Sequence, residues 1–220
     1  MKFFKGLVLF VVILCALAGA GWGGYWLYRR YAPPGGQGRN MEVRLLALNG
    51  VVPSNGIGPG VDVFQKDDTI SYIASGSAPN GWKWLPVANG VEAEVTGSAI
   101  DGSESPYVTR TNNGQLFLLA ADTPDMTLTH ASDVRPWGVD SVKVTSDVMG
   151  PAVDIHLDQA GGNLMHDFTQ KYLGHRIGVV VGGQICEVAL IQSPVRSAIE
   201  VRLPAGQQAQ ADGLRDSLMK

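Results

Sequence analysis

Cysteine is scarce in this chain: Cys15 and Cys186 are the two in 220 residues. Cys15 lies in an uncharged N-terminal run, preceded by Leu14 where a lipidation motif wants a small residue. That leaves Cys186 alone in the remainder, so an internal disulfide is excluded there. It reads as a small buried hydrophobe in an apolar strand. Charge is sparse as well, 17% of residues against the roughly 25% of an ordinary soluble domain. The net charge is −3, and no basic stripe follows Arg29, Arg30 and Arg39, which argues against a nucleic-acid partner. The motifs G-x-S-x-G, H-E-x-x-H and C-x-x-C do not occur, and each would have signalled a particular chemistry. No period of solenoid length repeats.

What the sequence does have begins at its N-terminus. From Gly6 to Tyr28 no residue is charged. As a helix this stretch reaches roughly 34 Å, enough for a hydrocarbon core of about 30 Å. Lys2, Lys5 and Ala16-Leu17-Ala18 resemble a cleavable signal peptide. Trp22, Tyr25, Trp26 and Tyr28 followed by Arg29 and Arg30 fit an interfacial belt with a basic stop. The preferred expectation is the second, an uncleaved anchor. Flanking charges are balanced and hardly orient it, but a short N-terminal tail before a long domain puts that domain outside the cytoplasm. Gly19 and Gly23 are spaced as a helix-pairing G-x-x-x-G, or form a loose exit from the bilayer. The expected division is an anchor over 1–30, a Pro/Gly linker over 31–40, a β-rich part over 41–140 and an α+β part over 141–220.

Alternating and continuous apolar runs predict strands. They fall at Met41 to Leu48, Gly60 to Phe64, Thr69 to Ile73, Trp82 to Trp84 and Val91 to Val95. Tyr107 to Thr111 and Gln115 to Leu119 flank Asn112-Asn113-Gly114, a hairpin turn. Val142 to Thr145 and Pro151 to Leu157 form the next pair around a turn at Asp147 to Gly150. The period then changes: Leu164, Phe168 and Tyr172, with Met165 and Leu173 beside them, make a helix stripe. Asp158 or Gln159 opens it and Gly174 closes it as the C′ residue. Ile177 to Val181, Gly182-Gly183 and Gln184 to Ile191 predict a hairpin, and Ile199 to Leu203 a last strand. Pro204 is set as the N1 residue of a final helix running to about Met219, with Leu214 and Leu218 inside. The expected fold is α+β, a mixed or antiparallel sheet with helices packed on one face, behind the N-terminal transmembrane helix.

Few residues suggest chemistry. Gly56-Ile57-Gly58-Pro59-Gly60 superficially resembles a phosphate loop, but Pro59 is unsuitable and a strand follows. Asp154, His156 and Asp158 share a strand face and could form a metal half-site; a solvated polar face is the preferred reading. His166-Asp167 resembles the histidine–aspartate pair of some metal phosphohydrolases, yet a helix-surface residue fits its surroundings better. His175 is read as a polar residue just past that helix. Trp82, Trp84 and Trp137 could stack sugars or peptides, but are read first as core anchors under long loops. No catalytic, cofactor-binding or metal-binding residue is therefore assigned, and no cofactor.

The segment Gly150-Pro151-Ala152-Val153-Asp154-Ile155-His156-Leu157 resembles the "G-x-P-A-V-x-F-x-L" strand of SecD, one residue short. Gly161-Gly162, Met165 and Phe168-Thr169 match that family's "G-A…F…L-T" helix. Tyr172 to Ile185 then follows "N-V-G-K-R-L-A-I-V-L-D-G-K-V" without a gap, and Pro194-Val195 matches the later "P-I". Upstream, Glu42-Val43-Arg44-Leu45 is similar to "E-F-R-L", and Leu118 to Thr129 to "L-x-x-D-P…L-T". The likeness covers most of Met41 to Lys220, firmly only the last third. It is to the head of SecD's large extracytoplasmic domain. Gly182 replaces an acidic turn residue and Val201 a glycine, changes a sheet or turn tolerates.

The resemblance implies a membrane-tethered, non-enzymatic head that contacts exported polypeptide or translocon components on the periplasmic side. SecD continues into membrane helices that use the proton-motive force. This sequence stops at Lys220, so it is not expected to do that work by itself. An envelope scaffold that keeps the fold without an export role is the alternative, and a metal-dependent hydrolase ranks last.

Overall fold

The computed structural model describes residues 40–49, 63–64, 73–96, 105–130 and 137–219. The anchor and linker readings, the Gly56 to Gly60 loop and most of the Thr69 to Ile73 strand reading lie outside these residues. Among the described residues, no helix is long and apolar enough to cross a membrane.

In chain order the elements are β1 (Met41–Leu45), β2 (Leu48–Asn49), β3 (Val63–Phe64), β4 (Trp82–Pro86) and α1 (Glu92–Val95). There follow β5 (Thr109–Asn112), β6 (Gln115–Ala121), a 3-10 turn (Pro124–Met126) and β7 (Thr127–Leu128). The rest comprises β8 (Val139–Asp147), β9 (Gly150–Leu157), α2 (Gln159–Lys171), β10 (Arg176–Val181), β11 (Gln184–Leu190), β12 (Ala198–Arg202) and α3 (Gln208–Leu218). All fall within Gly36–Lys220, one compact unit.

The class is α+β, almost wholly antiparallel, but the strands form several sheets rather than the one expected. One sheet runs β11-β10-β1-β7, a second β12-β9-β8 and a third β4-β6-β5; β2 and β3 make a short parallel pair. The C-terminal strands thus divide between two sheets. β10 has its partners in β11 and in β1, far earlier in the chain, with Val43 opposite Val179 and Leu45 opposite Ile177. Three hairpins have two-residue turns. Asn113-Gly114 (φ 49° and 79°) and Gly182-Gly183 (59° and 81°) adopt the left-handed conformations that short hairpins require. The third, Val148-Met149, joins β8 to β9.

The inner face of β12-β9-β8 carries Val153, Ile155, Ile199 and Val201, all buried. Met165 and Phe168 of α2 and Ala211 and Leu218 of α3 join them, with Val43 and Val179 of the neighbouring sheet in the same cluster. Each of these side chains larger than alanine contributes about 1.5–3 kcal/mol by leaving water. A loop is tied down on α2 by two close contacts. A Cβ on Gly162 would stand 2.2 Å from the Arg196 carbonyl oxygen, so only glycine admits the loop there. Buried Thr169 donates to the Met165 carbonyl at 2.7 Å and accepts from the Val195 N–H at 2.8 Å. The Gly-Gly, Thr and Pro-Val elements of the SecD-like pattern therefore meet at one contact.

Two local expectations are corrected. Val91 to Val95 is a helical turn, not a strand: Val95 N–H bonds the Val91 carbonyl at 3.1 Å and both valines are buried. An alternating V-E-A-E-V also places its end residues four apart, on one side of a helix. Pro204 is not the N1 residue of α3. A turn at Ala205-Gly206, with Gly206 at φ 87°, intervenes before Gln208.

Candidate binding surface

Among the described residues, no layer of apolar side chains packs on the outer face of β12-β9-β8. This face is built by strand alternation: residues opposite the buried Val153 and Ile155 series point away from the core. Here Arg202 is a hub. Its guanidinium bonds Asp147 at 3.0 Å and Glu200 at 2.8 Å. Its backbone N–H bonds the Glu187 carboxylate of β11 at 3.1 Å. The same carboxylate accepts from the Val188 N–H at 3.2 Å. The Met149 N–H, followed by Arg202, holds the Asp147 carboxyl below its ordinary range. Asp147 and then Glu200 raise Arg202.

Beside this hub lies an open cleft of about 400 Å³, lined by Gly90, Met149, Glu187, Arg202, Leu203 and Pro204, with Glu200 at its wall. Its charge is lopsided: it is lined by two carboxylates, Glu187 and Glu200, and one guanidinium, with Asp147 paired to that guanidinium from outside the lining. Its apolar lining is continuous with the β8–β9 turn, where Val148 is 97% exposed and Met149 69%. The sheet edge is open too. Leu203 N–H bonds Pro151 and Leu157 N–H bonds Ser197, so odd-numbered residues of β12 face β9. Ala198 and Glu200 therefore turn their main-chain groups outward.

The residues singled out in the sequence are spread apart. Asp154 and His156 lie on the outer face, opposite Glu200 and Ala198. Asp158 is the N-cap of α2, accepting from the Gly161 N–H at 2.7 Å, so its carboxylate is committed to the helix. Among the described residues, no group of three or more His, Cys, Asp or Glu could hold a metal. His166 Nδ1 lies 3.5 Å from Asp167 on the α2 surface, and His175 packs edge-on to Tyr172. Trp137 lies apart from the other two, whereas Trp82 and Trp84, alternate residues of β4, pack on one apolar cluster with Ala47, Val108 and Leu119. Trp137 is buried and stacked on His130 at 4.3 Å. Trp82 packs on Phe64, and Trp84 on the Arg110 guanidinium. Cys186 is buried at a β-bulge, where the partner of Val180 is Ile185 and that of Val179 is Glu187; burial pushes its thiol up to about 11.

Sequence reasoning missed Arg202 and the Val148-Met149 tip. Two bulky apolar residues in a two-residue turn, where glycine and asparagine are usual, were the available signal.

The fold and surface define an antiparallel α+β head domain with an open sheet edge and no reactive cluster among the described residues. Residues 122–217 match the family described as SecDF, P1 head subdomain, so this stretch is similar to that subdomain. The chain is similar to "Structure and function of a membrane component SecDF that enhances protein export": 12% identity, TM-score 0.41, covering 83% of this chain and 63% of that one. It is also similar to "Crystal structure of SecDF in Super-membrane-facing form": 11% identity, TM-score 0.31, covering 99% and 33%. It thus spans less than two thirds of either solved chain. No curated protein matches it.

Proposed function

We propose that this is a non-catalytic, SecD-head-like protein that binds polypeptide in connection with protein export. It is held at the cell membrane by residues 1–30, with 31–40 as a linker and 41–140 and 141–220 facing the periplasmic side. The observation carrying this reading is the family match over residues 122–217. The surface supports it. An extended segment laid along β12 would meet the outward main-chain groups of Ala198 and Glu200, as in strand addition. Its apolar side chains would enter the cleft beside Met149, Leu203 and Pro204. The carboxylates of Asp147, Glu187 and Glu200 favour Lys or Arg in that segment over Asp or Glu.

The test uses the full-length chain in detergent, passed over immobilised unfolded polypeptides, their folded forms and translocon components. Retention by the unfolded forms, weakened by Met149→Asp at the exposed cleft wall, is expected. No retention by any of them overturns the reading.

A further inference from the structure

The second open edge of the same sheet is β8. In β9 the odd residues face β12, so even ones face β8 and pair there with Ser141, Lys143, Thr145 and Asp147. Val142, Val144 and Ser146 consequently direct their N–H and C=O groups away from the sheet. Among the described residues, no strand pairs with that side. The edge carries no proline; its charged residues are the exposed Asp140, Lys143 and Asp147, and a bulge interrupts it only at its start, between Val139 and Ser141. Lys143 stands across from Asp154 of β9 but, among the described residues, makes no ion pair, and four residues further along β8 the Asp147–Glu200–Arg202 cluster carries one negative charge in excess.

We infer that β8 pairs antiparallel with β8 of a second copy of this chain, in a two-fold register centred on Thr145. Backbone polarity restricts the choice, because the outward residues must bond outward residues. In this register Val144 bonds Ser146 of the other copy, and reciprocally. Lys143 then stands opposite Asp147 of the other copy, twice, supplying the missing cation to each acidic cluster. The exposed Val148 comes to lie beside Val142 of the other copy. A register centred on Lys143 would oppose two lysines, a destabilising like-charge pair. One centred on Val144 would leave Lys143 opposite threonine. Charge thus selects the Thr145 register. A strand edge buries less than the ~1,200 Å² of a stable complex, so the association is reversible. The polypeptide reading uses the β12 edge, and of its charged groups this pairing shares only the Asp147 carboxylate.

Crosslinking of the full-length chain, with Cys15→Ala, tests it. Cys186 is buried with a raised thiol pKa and stays out of the reaction. Two Thr145 residues would face each other as a non-hydrogen-bonded pair, with Cα atoms about 4.5 Å apart. That is within disulfide reach of roughly 4.4–6.8 Å. Two copies of Lys143 would be roughly 13 Å apart at ~3.4 Å per residue. Thr145→Cys should therefore give a species of twice the monomer mass on mild oxidation, and Lys143→Cys should not. Val144→Pro removes an outward N–H without breaking a bond to β9, and should abolish the Thr145→Cys crosslink while circular dichroism stays unchanged. Equal crosslinking by both cysteine variants, or a crosslink indifferent to Val144→Pro, overturns the proposal. So does a spread of masses from Thr145→Cys, since the edge would then be holding other extended chains.

Discussion

The two faces of the β12-β9-β8 sheet are made by the same strands yet do different work. On one, Val153, Ile155 and Val201 are fully buried against α2 and α3. On the other, Asp154, His156, Glu200 and Arg202 face outward, and their pairs are exposed to solvent. Stability thus resides on one face, and the other is free to vary its charges. The difference comes from alternation alone, since neighbours in sequence sit on opposite sides.

Several measurements would sharpen or break this contrast. The largest effect belongs to the inner side: Phe168→Ala should lose about 3–5 kcal/mol in a denaturant titration. A loss as small as that of an outer-face variant would deny the contrast. Next is Arg44 of β1, a buried cation that bonds Glu42 at 2.7 Å, Asp122 at 2.8 Å and the Ala121 carbonyl at 2.6 Å. Arg44→Met should lose about 1.5–3 kcal/mol, the range for hydrogen bonds to a charged group, leaving its acidic partners partly exposed to water. Asp158→Ala, which removes the α2 cap, should lower stability by about 1 kcal/mol.

The smallest effect belongs to the outer hub. Arg202→Gln should barely move the denaturation midpoint at neutral pH. Its signature is in acid. The folded Asp147 carboxyl is held below its ordinary value, so it contributes stability above that ordinary value. The contribution is lost as pH falls through the lower, folded value. Asp147→Asn should flatten that acid limb while leaving neutral stability nearly unchanged. An acid limb identical to the parent's would remove Asp147 from the account.

The C-terminal third was the more legible in sequence because its signals are local. The β9 alternation, the 164–168–172 stripe of α2 and the Gly182-Gly183 turn each declare themselves within a few residues. The Asn113-Gly114 hairpin is legible for the same reason. What the sequence could not say was which sheet each strand joins. β1 lies between β10 and β7, partners from distant parts of the chain, and no local pattern encodes that pairing. Val91 to Val95 misled because its valines satisfy both periods. Pro204 misled because proline suits a turn as well as a helix start. At the candidate surface, Arg202 reads as one more charge in an alternating strand. Its partners Asp147 and Glu187 reach it only through two turns and a change of sheet.

Glu187 has a consequence of its own. One carboxylate takes the outward N–H of Val188 in one sheet and of Arg202 in another. Two layers that share no ladder are thereby spaced by a side chain a few ångströms long. Glu187→Ala would release both donors together, leaving two sticky margins side by side where the native molecule shows a finished seam.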